Sequence, residues 1–227
     1  MKKLLIAAFS VSAVAANAVI LYEQGNVTLG DDFVNEIGFI SNEFSDAGNT
    51  QFSTYVFDNV TNAQMWHVES VWVEGITQDP VGAVSYHLRF SQNANFTAPG
   101  TIGLNFSTTE ASTMGADKDL HFNLLGGLDL APGTWYMSAW VVNNFSTSGQ
   151  WAWKTTSTVV GGEAIAHNPA GGFGFGTNPV TLSGSGGVSV PSDVIFRIEG
   201  SVVPEPGTFV AIGLGLSGLA LARRRRK

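Results

Sequence analysis

The 227 residues contain no cysteine. A disulfide framework, a thiolate metal site and a cysteine nucleophile are all excluded, so any folded part must be held together by its core. Basic side chains are nearly as scarce away from the chain ends. Only Arg89, Lys118, Lys154 and Arg197, four of the eleven, lie within residues 19–203, against seventeen of the eighteen acids, so that stretch carries about −13. Such a surface repels phosphate backbones, which argues against nucleic acid as a partner. No segment of it sustains a 3.6-residue apolar period, which argues against a helical domain. Nucleophile-elbow and zinc-protease patterns (Gly-x-Ser-x-Gly, His-Glu-x-x-His) are missing too, and the expectation is a protein that is not an enzyme.

The chain ends are distinctive. Lys2 and Lys3 precede an apolar run over residues 4–15, and Ala16-Asn17-Ala18 supplies small residues at the spacing of a cleavage site. That order reads as a secretory signal peptide over residues 1–18, handled by the Sec translocase and signal peptidase, with Val19 as the mature N-terminus. At the other end, residues 204–227 open with Pro204-Glu205-Pro206-Gly207. The prolines fix φ and block helix propagation. Residues 208–222 follow without a charge, and then come Arg223, Arg224, Arg225, Arg226 and Lys227. An apolar run of this kind satisfies its backbone in lipid only as a helix. At 15 residues it spans roughly 22 Å, short of a hydrocarbon core of about 30 Å. The arginines form a cytoplasmic stop by the positive-inside rule, which leaves everything before Pro204 outside the cytoplasmic membrane.

The tripeptide, the Gly-rich apolar span and the arginine cluster, in that order, resemble the PEP-CTERM sorting signal of Gram-negative bacteria. The resemblance implies that an exosortase recognises Pro204, Glu205 and Pro206 and removes the helix. It further implies an inner-membrane intermediate, then the cell surface or extracellular matrix, and a link to exopolysaccharide and biofilm.

Residues 19–203 read as β throughout. In Val84-Ser85-Tyr86-His87-Leu88-Arg89-Phe90-Ser91 the apolar and polar residues alternate strictly, the mark of a sheet with one buried and one wet face. Pro132-Gly133 predicts a turn into a central strand through Trp135 and Trp140. Further strands are expected at 20–29, 54–57, 65–73, 120–124, 151–158 and 193–203, and a loop over 161–187. Short strands between turn signals predict a single-domain, all-β antiparallel sandwich or jelly roll. The Leu130–Tyr136 stretch, Trp151-Ala152-Trp153 and Phe196–Gly200 are similar to the little-characterised extracellular domains often found with such sorting signals, which implies a β-rich module and no particular activity.

Candidate site residues are few. Trp151 and Trp153 share one face of a strand, as do Trp66 and Trp72 at wider spacing. Exposed, such rings would stack on sugars, as in a carbohydrate-binding module; buried, they are core. His87 and His121 sit on wet faces and would share a metal only if their strands were neighbours. Asp117 and Asp119, with Asp31-Asp32, offer oxygen ligands for calcium or are charged turns. An exported hydrolase would need a carboxylate pair that no spacing in the sequence singles out.

Overall fold

Alternation of apolar and polar residues decides the architecture, and local breaks in that alternation decide its details. The computed structural model describes residues 18–27, 37–77, 85–94, 101–106, 111–114 and 119–204. The described residues form mostly antiparallel sheets, with strands numbered along the chain. One sheet has the order β1 (Val19–Gln24), β16 (Phe196–Val202), β5 (Trp66–Val73), β10 (Asp119–Leu130), β9 (Ala111–Met114). A larger one has the order β14 (Val180–Thr181), β13 (Ile165–His167), β4 (Tyr55–Asn62), β11 (Gly133–Asn143), β7 (Ser85–Ser91), β8 (Ile102–Phe106). Here β3 (Asn42–Phe44) runs parallel to the far end of β11. In a small third sheet β12 (Trp151–Thr156) pairs with β15 (Asp193–Val194), β2 (Gly38–Ile40) and β6 (Gly75–Thr77).

One core cluster draws on all three sheets. Val68, Val71 and Phe122 come from the first, Val56, Leu88, Phe90, Met137 and Ala139 from the second, and Trp151 and Trp153 from the third. In β7 the buried residues are Tyr86, Leu88, Phe90 and the terminal Ser91, while Ser85, His87 and Arg89 are only partly buried on the other face. The strand through Trp135 and Trp140 is central, lying between β4 and β7. Between residues 161 and 187 the chain forms two short strands and a 3-10 turn rather than one loop. In its Gly-Phe run Phe173 is edge-on to Phe52 and Phe175 edge-on to Phe39, although Phe173 is still 41% exposed.

Polar side chains hold the sheets in register where the chain crosses between them. Buried Asn42 donates to Asn143 Oδ1 at 3.1 Å and to Val141 O at 3.3 Å, and accepts from Trp151 N at 2.7 Å. It thereby fixes β3 to β11 and the start of β12. Ser41 Oγ donates to Ala139 O at 2.6 Å and accepts from Val56 N at 3.2 Å. Every one of these bonds replaces water for a group that has none, which is what makes burial of so many polar residues tolerable.

A register break changes faces. Between Val68 and Ser70, β5 carries Glu69 as an extra residue opposite β16. This bulge inverts the parity of the strand, so Trp66 is buried whereas Trp72, six residues on, faces outward. The expectation that both rings share a face is thereby corrected. Gly200 lies across from Val68 at the same break. A Cβ there would sit against the His67 carbonyl, which is backbone and cannot swing away. Gly200→Ala is expected to push β16 from β5 and cost about 2–3 kcal/mol. Urea unfolding checks this, and an unshifted midpoint would refute the steric account.

Candidate functional site

The outward face of the larger sheet carries the most chemically varied cluster among the described residues. Its members arrive there by parity: each lies next to a residue that faces the core. Arg89 is flanked by Leu88 and Phe90, Ser138 and Trp140 by Met137, Ala139 and Val141, and His167 follows Ala166. Register then sets them side by side. Phe57, Ser138 and Arg89 form one row across β4, β11 and β7, with His167 opposite Tyr55, Trp140 opposite His87 and Glu43 opposite Val142.

Small Ser138 between large neighbours makes a floor. Around it Glu43, Tyr55, Arg89, Trp140 and His167 wall a cavity of about 220 Å³. The walls are braced. Glu43 Oε2 accepts from Trp140 Nε1 at 3.3 Å and from Tyr55 Oη at 3.4 Å. Tyr55 meets the Trp140 ring edge-on at 5.2 Å between centroids. His87 stacks on Trp140 at 5.0 Å, and the Arg89 guanidinium lies 4.8 Å from its centroid. A guanidinium over an indole is favourable and holds both groups in place. His167 Nε2 donates to Thr177 O at 3.1 Å. Burial, then the Glu43 carboxylate, push the Tyr55 phenol up to about 12, with Arg89 opposing. Tyr55 therefore stays protonated and serves as a donor. The cavity thus offers a fixed carboxylate, a fixed guanidinium, a phenol and aromatic edges.

The residues expected from the sequence stand elsewhere. Trp151 and Trp153 are 4% and 0% exposed. They are core rather than a sugar platform: the Trp153 indole donates to Ile195 O at 2.8 Å and its ring sits edge-on to Phe196. His87 and His121 belong to different sheets, and each stacks on a tryptophan, His121 on Trp72 at 3.6 Å, so they do not form a metal pair. Asp119 is buried and its Oδ1 accepts from Gly75 N at 3.0 Å, a bond that ties the start of its strand to the start of β6. Asp117, Asp31 and Asp32 lie outside the described residues, as do Ala16, Glu205, Pro206, Arg223, Arg224, Arg225 and Arg226. Among the described residues no group of three or more histidines and acids could hold a metal ion, and no helix is long and apolar enough to cross a membrane. The expected sorting helix falls outside them.

At the C-terminal end β16 stays paired to β5 through Val202, and Val203 N still donates to Met65 O at 2.9 Å. Pro204 follows directly. The described residues are thus mostly antiparallel β, and their last strand leads without a spacer to Pro204. Residues 202–226 match the PEP-CTERM protein-sorting motif. That motif indicates exosortase-dependent sorting to the cell exterior by way of a membrane-anchored intermediate in bacteria. No curated protein and no solved structure matches the chain.

Proposed function

We propose that the protein is a non-catalytic component of the surface or extracellular matrix of a Gram-negative bacterium, associated there with exopolysaccharide and biofilm. The observation that carries this reading is the sorting motif over residues 202–226, joined directly to the last strand of an acidic, cysteine-free β domain. In this reading the first and second sheets are the two layers of a sandwich. Sec translocase and signal peptidase release the N-terminus at Val19, and exosortase acts at Pro204, Glu205 and Pro206. Display or binding suits the outward cavity better than hydrolysis does. Glu43 is the only acid among the described residues lining it, and glycoside hydrolysis needs two carboxylates.

The test is made in a host with its own exosortase. With Pro204, Glu205 and Pro206 all replaced by alanine, full-length chain should collect in the inner membrane and the exterior product should fall at least about tenfold. Mass spectrometry of the unaltered exterior product should find no peptide from residues 209–222. Undiminished export of the alanine variant, or recovery of those peptides outside, would overturn the reading.

A further inference from the structure

We propose that the cavity walled by Glu43, Tyr55, Arg89, Trp140 and His167 is a binding site for one ring of a neutral sugar, the unit through which the domain holds a polysaccharide. The link to polysaccharide rests on the function proposed above; the site itself rests on geometry alone. A pyranose presents hydroxyl pairs at its rim and C–H bonds on its faces. Its rim needs acceptors and donors in fixed positions, and its faces need aromatic carbon.

The cavity supplies each in the required state. The Glu43 carboxylate is clamped by two donors, Tyr55 Oη and Trp140 Nε1. Both donors go to Oε2, which fixes the carboxylate in place as an acceptor for a hydroxyl. Arg89 contributes donors from the opposite wall, held against the Trp140 ring. Together they leave the cavity near neutral, although the domain as a whole is strongly acidic. An anionic sugar would gain Arg89 but meet Glu43 and the field of the domain. A charged group bonded to a sugar hydroxyl contributes strongly, since hydrogen bonds to charged groups exceed neutral ones. Ser138 cannot be larger without closing the floor, because Phe57 and Arg89 lie directly across from it on either side.

This site is separate from the tryptophans that sequence spacing singled out. Trp140 does not offer its own face as a stacking platform, since it is only 3% exposed. It acts as a brace for Glu43 and Arg89, while half-buried Tyr55 offers the aromatic contact.

The test uses the full chain in a detergent without a sugar headgroup. Saturation-transfer NMR is run with glucose, galactose, mannose, glucuronate and glycine, each to about 50 mM, and positives are titrated calorimetrically. At least one neutral hexose should bind, more tightly than glucuronate or glycine. Glu43→Gln keeps an acceptor for Tyr55 and removes the charge; Arg89→Met keeps the stem and removes the donors. Each should weaken hexose binding by about tenfold or more, while Trp72→Phe on the other sheet leaves it unchanged. Thermal melts establish that the variants fold. Absence of hexose binding, binding of glucuronate or glycine alone, or unaltered hexose affinity in both variants would each overturn the site. None of these outcomes touches sorting, whose test is made on export, so the two readings fail separately.

Discussion

Lys154→Met should unfold this protein about 10 °C earlier than the unaltered chain. Lys154 is the single basic residue with its ammonium inside the described core. Nζ lies 2.9 Å from Glu74 Oε2, with side chains 9% and 1% exposed. The pair sits where the first and third sheets meet. Lys154 N donates to Glu74 O, Ile195 N to Lys154 O, and Glu74 N to Ile195 O. Backbone bonds thus fix both Cα positions, and neither residue can carry its charge to water by moving. Removing the ammonium leaves Glu74 as a buried carboxylate whose nearest counter-charge has gone, which costs about 3–5 kcal/mol. In a domain of this size each kcal/mol moves the midpoint by about 2–4 °C. The pair is not therefore a large net source of stability. Desolvating two ions offsets most of their attraction, and an apolar pair of similar volume does as well. Lys154→Met with Glu74→Leu should accordingly recover most of what Lys154→Met loses. Urea unfolding followed by tryptophan fluorescence measures all four corners of the cycle. A single-variant loss below about 1 kcal/mol would show the pair to be solvated and weak.

Residue type and parity made some of this legible, and contact order hid the rest. The strand through Arg89 alternates cleanly, so its wet face, with His87 and Arg89 on it, is readable from eight letters. Trp140 is different. Its strand is apolar on both faces, so periodicity marks it as central without saying which rings face the core. Glu43 and Tyr55 come from segments too short or too mixed to display a period. Glu43 reaches Trp140 across 97 positions of sequence, and only the parallel pairing of β3 with β11 brings them together. No local signal encodes that pairing; the buried Asn42 that enforces it looks like any loop asparagine. The bulge at Glu69 defeats a correct rule in a different way. Strict alternation places Trp66 and Trp72 together, and one inserted residue separates them. Trp151 and Trp153 do share a strand face, but spacing cannot tell an exposed ladder from a buried one. A disulfide-free core had the stronger claim on such large side chains.

The second large effect is a stability that rises as pH falls. Asp58 and Asp193 are 2% and 0% exposed. Burial lifts the Asp58 carboxyl well above the usual range, and the Asp193 charge adds to that. Burial also lifts Asp193, to about 6, against the backbone donors of Val160 and Ala164 that favour its ionised form. Oδ2 of Asp193 accepts from Val160 N at 2.6 Å and from Gln24 Nε2 at 2.8 Å, and Oδ1 from Ala164 N at 2.9 Å. The folded chain therefore holds these protons more tightly than the unfolded chain does. The slope of stability against pH is then negative. The contribution is fully present below the ordinary carboxylate value of 3.8 and is lost as pH rises through about 6 for Asp193. At 1.36 kcal/mol per pH unit it amounts to about 3 kcal/mol for that residue. Asp46, held down to about 2 chiefly by Asn49, opposes the trend only in more acid solution. Urea midpoints should thus be higher at pH 5 than at pH 7.5. General relief of repulsion in so acidic a chain has the same sign, so the decisive variant is Asp58→Asn. It keeps the acceptor for Asn59 N, 2.7 Å from Oδ1, and disturbs only the 3.3 Å bond from Val194 N. If the buried carboxyls set the slope, this variant flattens it clearly and is the more stable protein at pH 7.5. If the slope survives unchanged, surface repulsion sets it and the buried pair has no part in it.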